Sequence, residues 1–205
     1  DDYLKIQNFE FYKLTEEEKE IYKKIEFYYN LYLQIGGYPD VIHAYMRSND
    51  VNSCNIVLKN LVDAYIHESK RYFNGMIDEK SLLNTLVETC KSIVDGSGGI
   101  TLDDKIPLSF KYNMDNLNVV TKDKKSNLKW LVTTHILGQC SVYNNIYNLS
   151  STTAPQFYFK DLGLLRYIYL KSEYFQESHL NGMLAENFVY LYLSDKVASE
   201  INRIS

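Results

Sequence analysis

Cysteine is scarce in this chain and scattered along it. Cys54, Cys90 and Cys140 are the only three among 205 residues, and no two form a CxxC pair. An odd number of distant thiols excludes a disulfide scaffold and fits buried thiols in a reducing cytoplasm. Long apolar runs are missing as well. No stretch approaches the ~20 apolar residues that a membrane-crossing helix needs, and the residues present carry no signal-peptide pattern. Nor does one sign of charge prevail. Lys plus Arg is 22 against 26 Asp plus Glu, a formal net charge of −4. That balance excludes a strongly basic nucleic-acid binder, although a local basic face remains open.

Chemical motifs are thin too. No GxxxxGK[ST] run occurs, and the glycines within residues 96–99 lack the following lysine that would meet phosphate oxygens, so no P-loop is present. They read instead as a connection between subdomains. The four histidines, His43, His67, His135 and His179, form no HxxxH or HExxH pattern. Asp63 and His67 lie one helical turn apart, but two ligands are too few to define a metal site. Nothing marks an exposed nucleophile. Tyrosine is abundant, at 19 residues. Its ring can be buried while its hydroxyl stays wet, which suits helix faces that pack on partners. Codon bias explains the same excess, so tyrosine carries no functional weight here.

What is present is mostly helical punctuation. Thr15 and Glu18 form a capping box, followed by Ile21, Ile25, Tyr28, Tyr32 and Ile35 on one face. Gly36 and Gly37 stop that helix, and Pro39 suits the first turn of a short one carrying Val41, Ile42, Tyr45 and Met46. Asn52 or Ser53 can cap a third helix whose apolar positions are Val57, Leu61, Tyr65 and Ile66, then Tyr72 and Phe73, ended by Asn74-Gly75. Asp78 can cap a fourth, with Leu82, Leu83, Leu86, Val87, Cys90 and Ile93 inward. A compact helix runs from Ser126 or Asn127 through Leu137, with Leu128, Leu131 and Trp130 inward and Gly138 closing it. Residues 139–147 and 155–160 read as two strands of a hairpin, and helices follow at 161–171 and 182–199. The chain begins Asp1-Asp2 and ends without a helix stop, so it reads as a fragment of a longer polypeptide.

Three stretches carry a family resemblance. They are Gly36-Gly37-Tyr38-Pro39, then an aromatic strand ending in Asp161, Gly163 and Leu164, then a glycine-led helix with Gly182, Glu186, Asn187 and Val189. Together with the segment 127–140 they resemble the DUF4143 region, which lies C-terminal to the ATPase core of a group of bacterial and archaeal AAA-like ATPases. The resemblance implies a mainly α (α+β) architecture. A helical subdomain would span residues 1–95. A winged-helix-like subdomain with its linker and a small β-hairpin wing would span 96–160. Helices opening a truncated endonuclease-like domain would span 161–205. It also implies an upstream ATPase in the same chain, with ATP and magnesium used by the full-length protein and no cofactor in this fragment.

On this basis the expected function is a non-catalytic accessory or interaction domain, with a homo-oligomer as one arrangement and no membrane partner. One alternative is a winged-helix DNA-binding module, with Lys122, Lys124, Lys125 and Lys129 before and on the Trp130 helix meeting phosphates. Asp123 interrupts that run, and Thr133, Thr134 and His135 stand where arginine and glutamine would read bases. Another alternative is a metal-dependent nuclease in which Glu186 joins carboxylates beyond this chain. Within these residues a packing, capping or salt-bridge role suits Glu186 better. Asp161 is read as the N-cap of the helix that follows it. No catalytic residue and no metal ligand is assigned.

Overall fold

The computed structural model describes residues 13–72, 79–95, 124–140 and 155–204. The elements are α1 (Glu16–Ile35), α2 (Pro39–Ser48), α3 (Val51–Tyr72), α4 (Glu79–Asp95), α5 (Lys124–Thr133), β1 (Leu137–Cys140), β2 (Gln156–Phe159), α6 (Leu162–Lys171) and α7 (Glu177–Ile204). The fold is thus mainly helical with one small antiparallel sheet. The Asn74-Gly75 stop, the Asp78 cap, the glycines within 96–99 and the turn before Pro155 lie outside the described residues.

Local chemistry explains most of the element ends. The Thr15 hydroxyl accepts the Glu18 N–H at 3.3 Å, and the Glu18 carboxylate accepts the Thr15 N–H at 2.8 Å. The Thr15 N–H and, at 2.7 Å, the Thr15 hydroxyl both donate to the Glu18 carboxylate and favour its ionised form, so that carboxyl lies below its ordinary range. Gly36 closes α1 at φ 74°, donating its N–H to Tyr32 O at 2.9 Å. Pro39 stands in the first turn of α2, and left-handed Asn49 closes that helix. The third helix starts earlier than the Asn52 or Ser53 cap implied. Asp50 Oδ1 accepts the Asn52 N–H at 3.0 Å, so Asp50 supplies the acceptor.

Packing then selects among apolar stripes. On α3 the buried apolar positions are Cys54, Leu58, Val62 and Ile66, each four residues apart, while Val57, Leu61 and Tyr65 are only partly covered. Of the expected positions Ile66 is buried, whereas Val57, Leu61 and Tyr65 lie one residue off the buried stripe because α3 turns toward α2 and α6. On α4 Leu82, Leu86, Cys90 and Ile93 are buried, with Leu83 and Val87 at the margin. On α1 only Ile35 is fully buried, and Tyr28 faces outward at 56% exposure. One hydrophobic core runs through residues of every described element, from Ile35 to Leu184.

The compact helix α5 ends at Thr133, four residues short of the expected Leu137. His135 adopts φ 58°. Its N–H bonds Val132 O at 3.1 Å, and the Ile136 N–H bonds Leu131 O at 2.9 Å. This paired pattern is a Schellman closure, with Ile136 and Leu131 both buried beside it. The chain therefore enters β1 at Leu137 rather than at residue 139. β1 pairs antiparallel with β2 in the register Leu137↔Phe159 to Cys140↔Gln156. Phe157 and Phe159 point into the core, and Tyr158 points the other way.

The last helix also departs from expectation. α7 begins at Glu177, so Gly182 lies inside it rather than at its start. A Cβ on Gly182 would meet no atom within 4 Å. Among the described residues, no helix is long and apolar enough to cross a membrane.

Two substitutions test these backbone assignments in urea unfolding. Gly182→Ala removes the entropic cost of a mid-helix glycine and raises stability by roughly 0.5–1 kcal/mol. His135→Gly relieves the left-handed penalty of a side-chain-bearing residue and raises it by about 1 kcal/mol. A loss in either variant contradicts the corresponding geometry.

Candidate functional site

Two of the sequence stretches meet in space. Asp161 is buried, at 5% exposure, and caps α6 by accepting the Leu164 N–H on Oδ1 at 2.8 Å. Its other oxygen accepts the Gly37 N–H at 2.6 Å, from the loop that ends α1. One carboxylate thus joins chain segments 124 residues apart. The glycines are steric requirements of this joint. A Cβ on Gly36 would run into both Asp161 oxygens, and one on Gly163 would run into the Ile35 carbonyl. Burial pushes the Asp161 carboxyl above its ordinary range, opposed by the N–H groups of Gly37, Leu164, Gly163 and Tyr38.

The third stretch forms a second joint. Asn187, fully buried on α7, accepts the Phe159 N–H at 2.8 Å and donates to Phe159 O at 2.9 Å. Its amide acts as a short extra strand on the edge of β2, satisfying both backbone groups of one residue. Beside it, Tyr158 donates its hydroxyl to Glu186 at 2.9 Å and stacks on Tyr190 at 4.5 Å between ring centroids. The Tyr158 hydroxyl is raised well above its ordinary range by burial and by Glu186. Lys160 lies over the Tyr190 ring at 5.0 Å. Gly138 gives the Tyr190 phenol its room, because a Cβ there would meet the hydroxyl.

The remaining candidates do not converge. Lys122 lies outside the described residues, Lys124 and Lys125 occupy the first positions of α5, and Lys129 is half-buried. The neighbouring Asn127, Leu128, Trp130 and Leu131 are buried, so most of this helix faces the core rather than a groove of DNA. Asn127 donates to Ser81 and Thr85 on α4 at 2.7 and 3.0 Å. Asp63 is engaged by Lys59 at 2.6 Å. Among the described residues, no group of three His, Cys, Asp or Glu side chains could hold a metal ion. The Cys54 and Cys90 thiols are buried and raised above their ordinary range, chiefly by desolvation.

Pattern reading alone passed over the surface of α7. Residues 188–193 read Phe-Val-Tyr-Leu-Tyr-Leu, apolar around the whole helix. The inner side is covered: Phe188 meets Tyr29 and Tyr32 of α1 edge-on at 5.1 and 6.3 Å. The outer side is not. Val189, Leu193 and Val197 are 52%, 53% and 56% exposed, with Tyr192 beside them at 49%. Glu186, Val189, Leu193 and Lys196 follow one another at spacings of three, four and three, and so lie along one outer seam. The unbroken apolar run was the signal that could have found this face.

A family model covers residues 26–174, a domain of unknown function designated DUF8612. The chain belongs to that family. The resemblance to DUF4143 is thereby corrected, because the matching family is a different one. GGYP and DLGL serve one joint between a helix end and a helix start, a structural need that is not particular to one family. The upstream ATPase, with its ATP and magnesium, and the truncated endonuclease-like domain lose the basis that resemblance gave them. No curated protein and no solved structure matches the chain.

The Asp161 joint makes a specific prediction. Asp161→Ala removes a cap and strands buried N–H donors, costing roughly 2–4 kcal/mol in equilibrium unfolding. The raised carboxyl binds its proton more tightly in the folded chain than in the unfolded one. Its contribution therefore declines as pH rises from the ordinary carboxylate range through the folded value. Subtracting Asp161→Asn from wild type at each pH isolates this term, and a difference that grows with pH contradicts it.

Proposed function

We propose that the chain is a non-catalytic interaction domain and that α7 is its docking element. The observation that carries this reading is the fully apolar run at 188–193, of which the fold covers only the inner side. A helix apolar all round is ordinarily buried all round. The occupant is a second copy of the chain, and the argument is charge complementarity along the outer seam. In an antiparallel pair of α7 helices crossing at the level of residue 191, Val189 faces the partner's Leu193 and Glu186 faces the partner's Lys196. Two-fold symmetry makes each pairing twice. The two apolar layers lie at the centre, with an oppositely charged layer at each end.

Sedimentation equilibrium of the 205-residue chain tests this directly. Wild type is expected to dimerise. Glu186→Lys and Lys196→Glu, each alone, set like charges opposite one another and raise the dissociation constant at least about tenfold. An equimolar mixture of the two variants restores both ion pairs and forms heterodimers. A monomeric wild type, or a mixture no tighter than its components, sinks the reading. Two further arms separate it from its rivals. Calorimetry with ATP and magnesium is expected to give no binding heat. Duplex DNA in anisotropy is expected to show no salt-sensitive binding, whereas steep loss of binding with salt would transfer the assignment to the lysines around α5.

A further inference from the structure

Arg166 occupies an unusual position on α6. It is half-buried at the floor of a hollow of about 440 Å³ between α1, α6 and α7. The walls are Asn30 and Gln34 of α1 and Asn181 of α7 on the polar side, and Leu33, Leu180 and Leu184 on the apolar side. No carboxylate lines the hollow, and no ion pair or hydrogen bond to Arg166 is formed among the described residues. A guanidinium carries five donors in a planar fork and stays charged in proteins. Partly withdrawing it from water without an acid beside it is unfavourable. Burial accordingly draws its pKa below the ordinary range. Among the residues that line the hollow Arg166 is the one charged side chain.

We infer that this hollow is a binding site for an organic carboxylate with an apolar body. The fork of Arg166 takes the two carboxylate oxygens side by side. The amides of Asn30, Gln34 and Asn181 donate to whichever lone pairs remain. Leu33, Leu180 and Leu184 cover the aliphatic part of the ligand. The free acid and an acidic side chain on a docked segment share this chemistry, and the test separates them. The hollow is lined from a different side of α7 than the Glu186–Lys196 seam, so its occupancy does not depend on self-association.

The test is a ¹H–¹⁵N titration of the 205-residue chain with sodium hexanoate, sodium acetate, inorganic phosphate and neutral hexanol. The expected result is saturable shifts at Asn30, Gln34 and Asn181 with hexanoate, weaker ones with acetate, and none with hexanol. Arg166→Met removes the hexanoate response, and Arg166→Lys, which keeps charge but loses the fork, weakens it at least about tenfold. A glutamate-containing peptide with blocked termini, competing with hexanoate, assigns the physiological source to a docked segment; hexanoate binding without competition assigns it to a free acid. Arg166→Met also leaves the unfolding midpoint unchanged or raised, because an uncompensated charge is removed. A fall in that midpoint would make Arg166 a packing residue. That fall, equal binding of hexanol, or no saturable response to any carboxylate overturns the proposal.

Discussion

A single buried carboxylate, that of Asp161, answers backbone donors from two ends of the chain. Gly37 N–H reaches it from the close of α1 and Leu164 N–H from the start of α6. The Leu164 N–H is one of the donors that a helix start leaves open, and the Gly37 N–H belongs to the loop that follows α1. Meeting both needs with one side chain brings the last turn of α1 against the first turn of α6. That approach is possible only because residues 36 and 163 lack side chains. The rest follows from it. With α1 and α6 fixed, the apolar faces of α3 and α4 have one surface to cover, and the core closes from Ile35 to Leu184.

The second constraint fixes α7. The Asn187 amide completes the edge of β2, so the helix is held by a polar contact at a defined residue and not by apolar area alone. Greasy surfaces slide, whereas a two-point amide bond sets rotation and register together. With that rotation set, Met183 and Leu184 go into the core, Phe188 meets α1, and Val189, Leu193 and Val197 are left facing outward. The outer seam is a consequence of the Asn187 bond. In the proposed dimer, the same bond would orient the docking face and keep it from turning inward.

The hollow around Arg166 is placed by both constraints. The Asp161 cap sets the direction of α6, on which Arg166 stands four residues beyond Leu162, while Asn187 ties α7 to β2 and Phe188 packs it on α1. Its walls are therefore the products of long-range joints, and among the described residues no acid is paired with its charge. Burying half a guanidinium without an acid is a local conflict in a structure whose helix caps and core are otherwise consistent. Conflicts of that kind are where proteins concentrate binding function.

Much of the punctuation was legible in the residues alone. The Thr15–Glu18 box, the Gly36 stop, Pro39 in the first turn of α2 and the Asp161 cap depend on neighbours within four positions, and local geometry fixes them. The ends of α5 and the start of α7 were misread because Gly138 and Gly182 look like helix punctuation. One instead makes room for Tyr190, and the other sits mid-helix in open space. The sequence by itself determined a mainly helical chain, the positions of its caps and which residues are apolar. Only the tertiary structure decided that α3 buries Leu58 and Val62 rather than Val57 and Leu61, that Asp161 serves Gly37, that Asn187 edges a strand, and that Arg166 is paired with no acid among the described residues. The reason is range: a helical stripe is periodic within a few turns and reads the same from any side, while the choice of side is made by contacts more than a hundred residues apart in the chain.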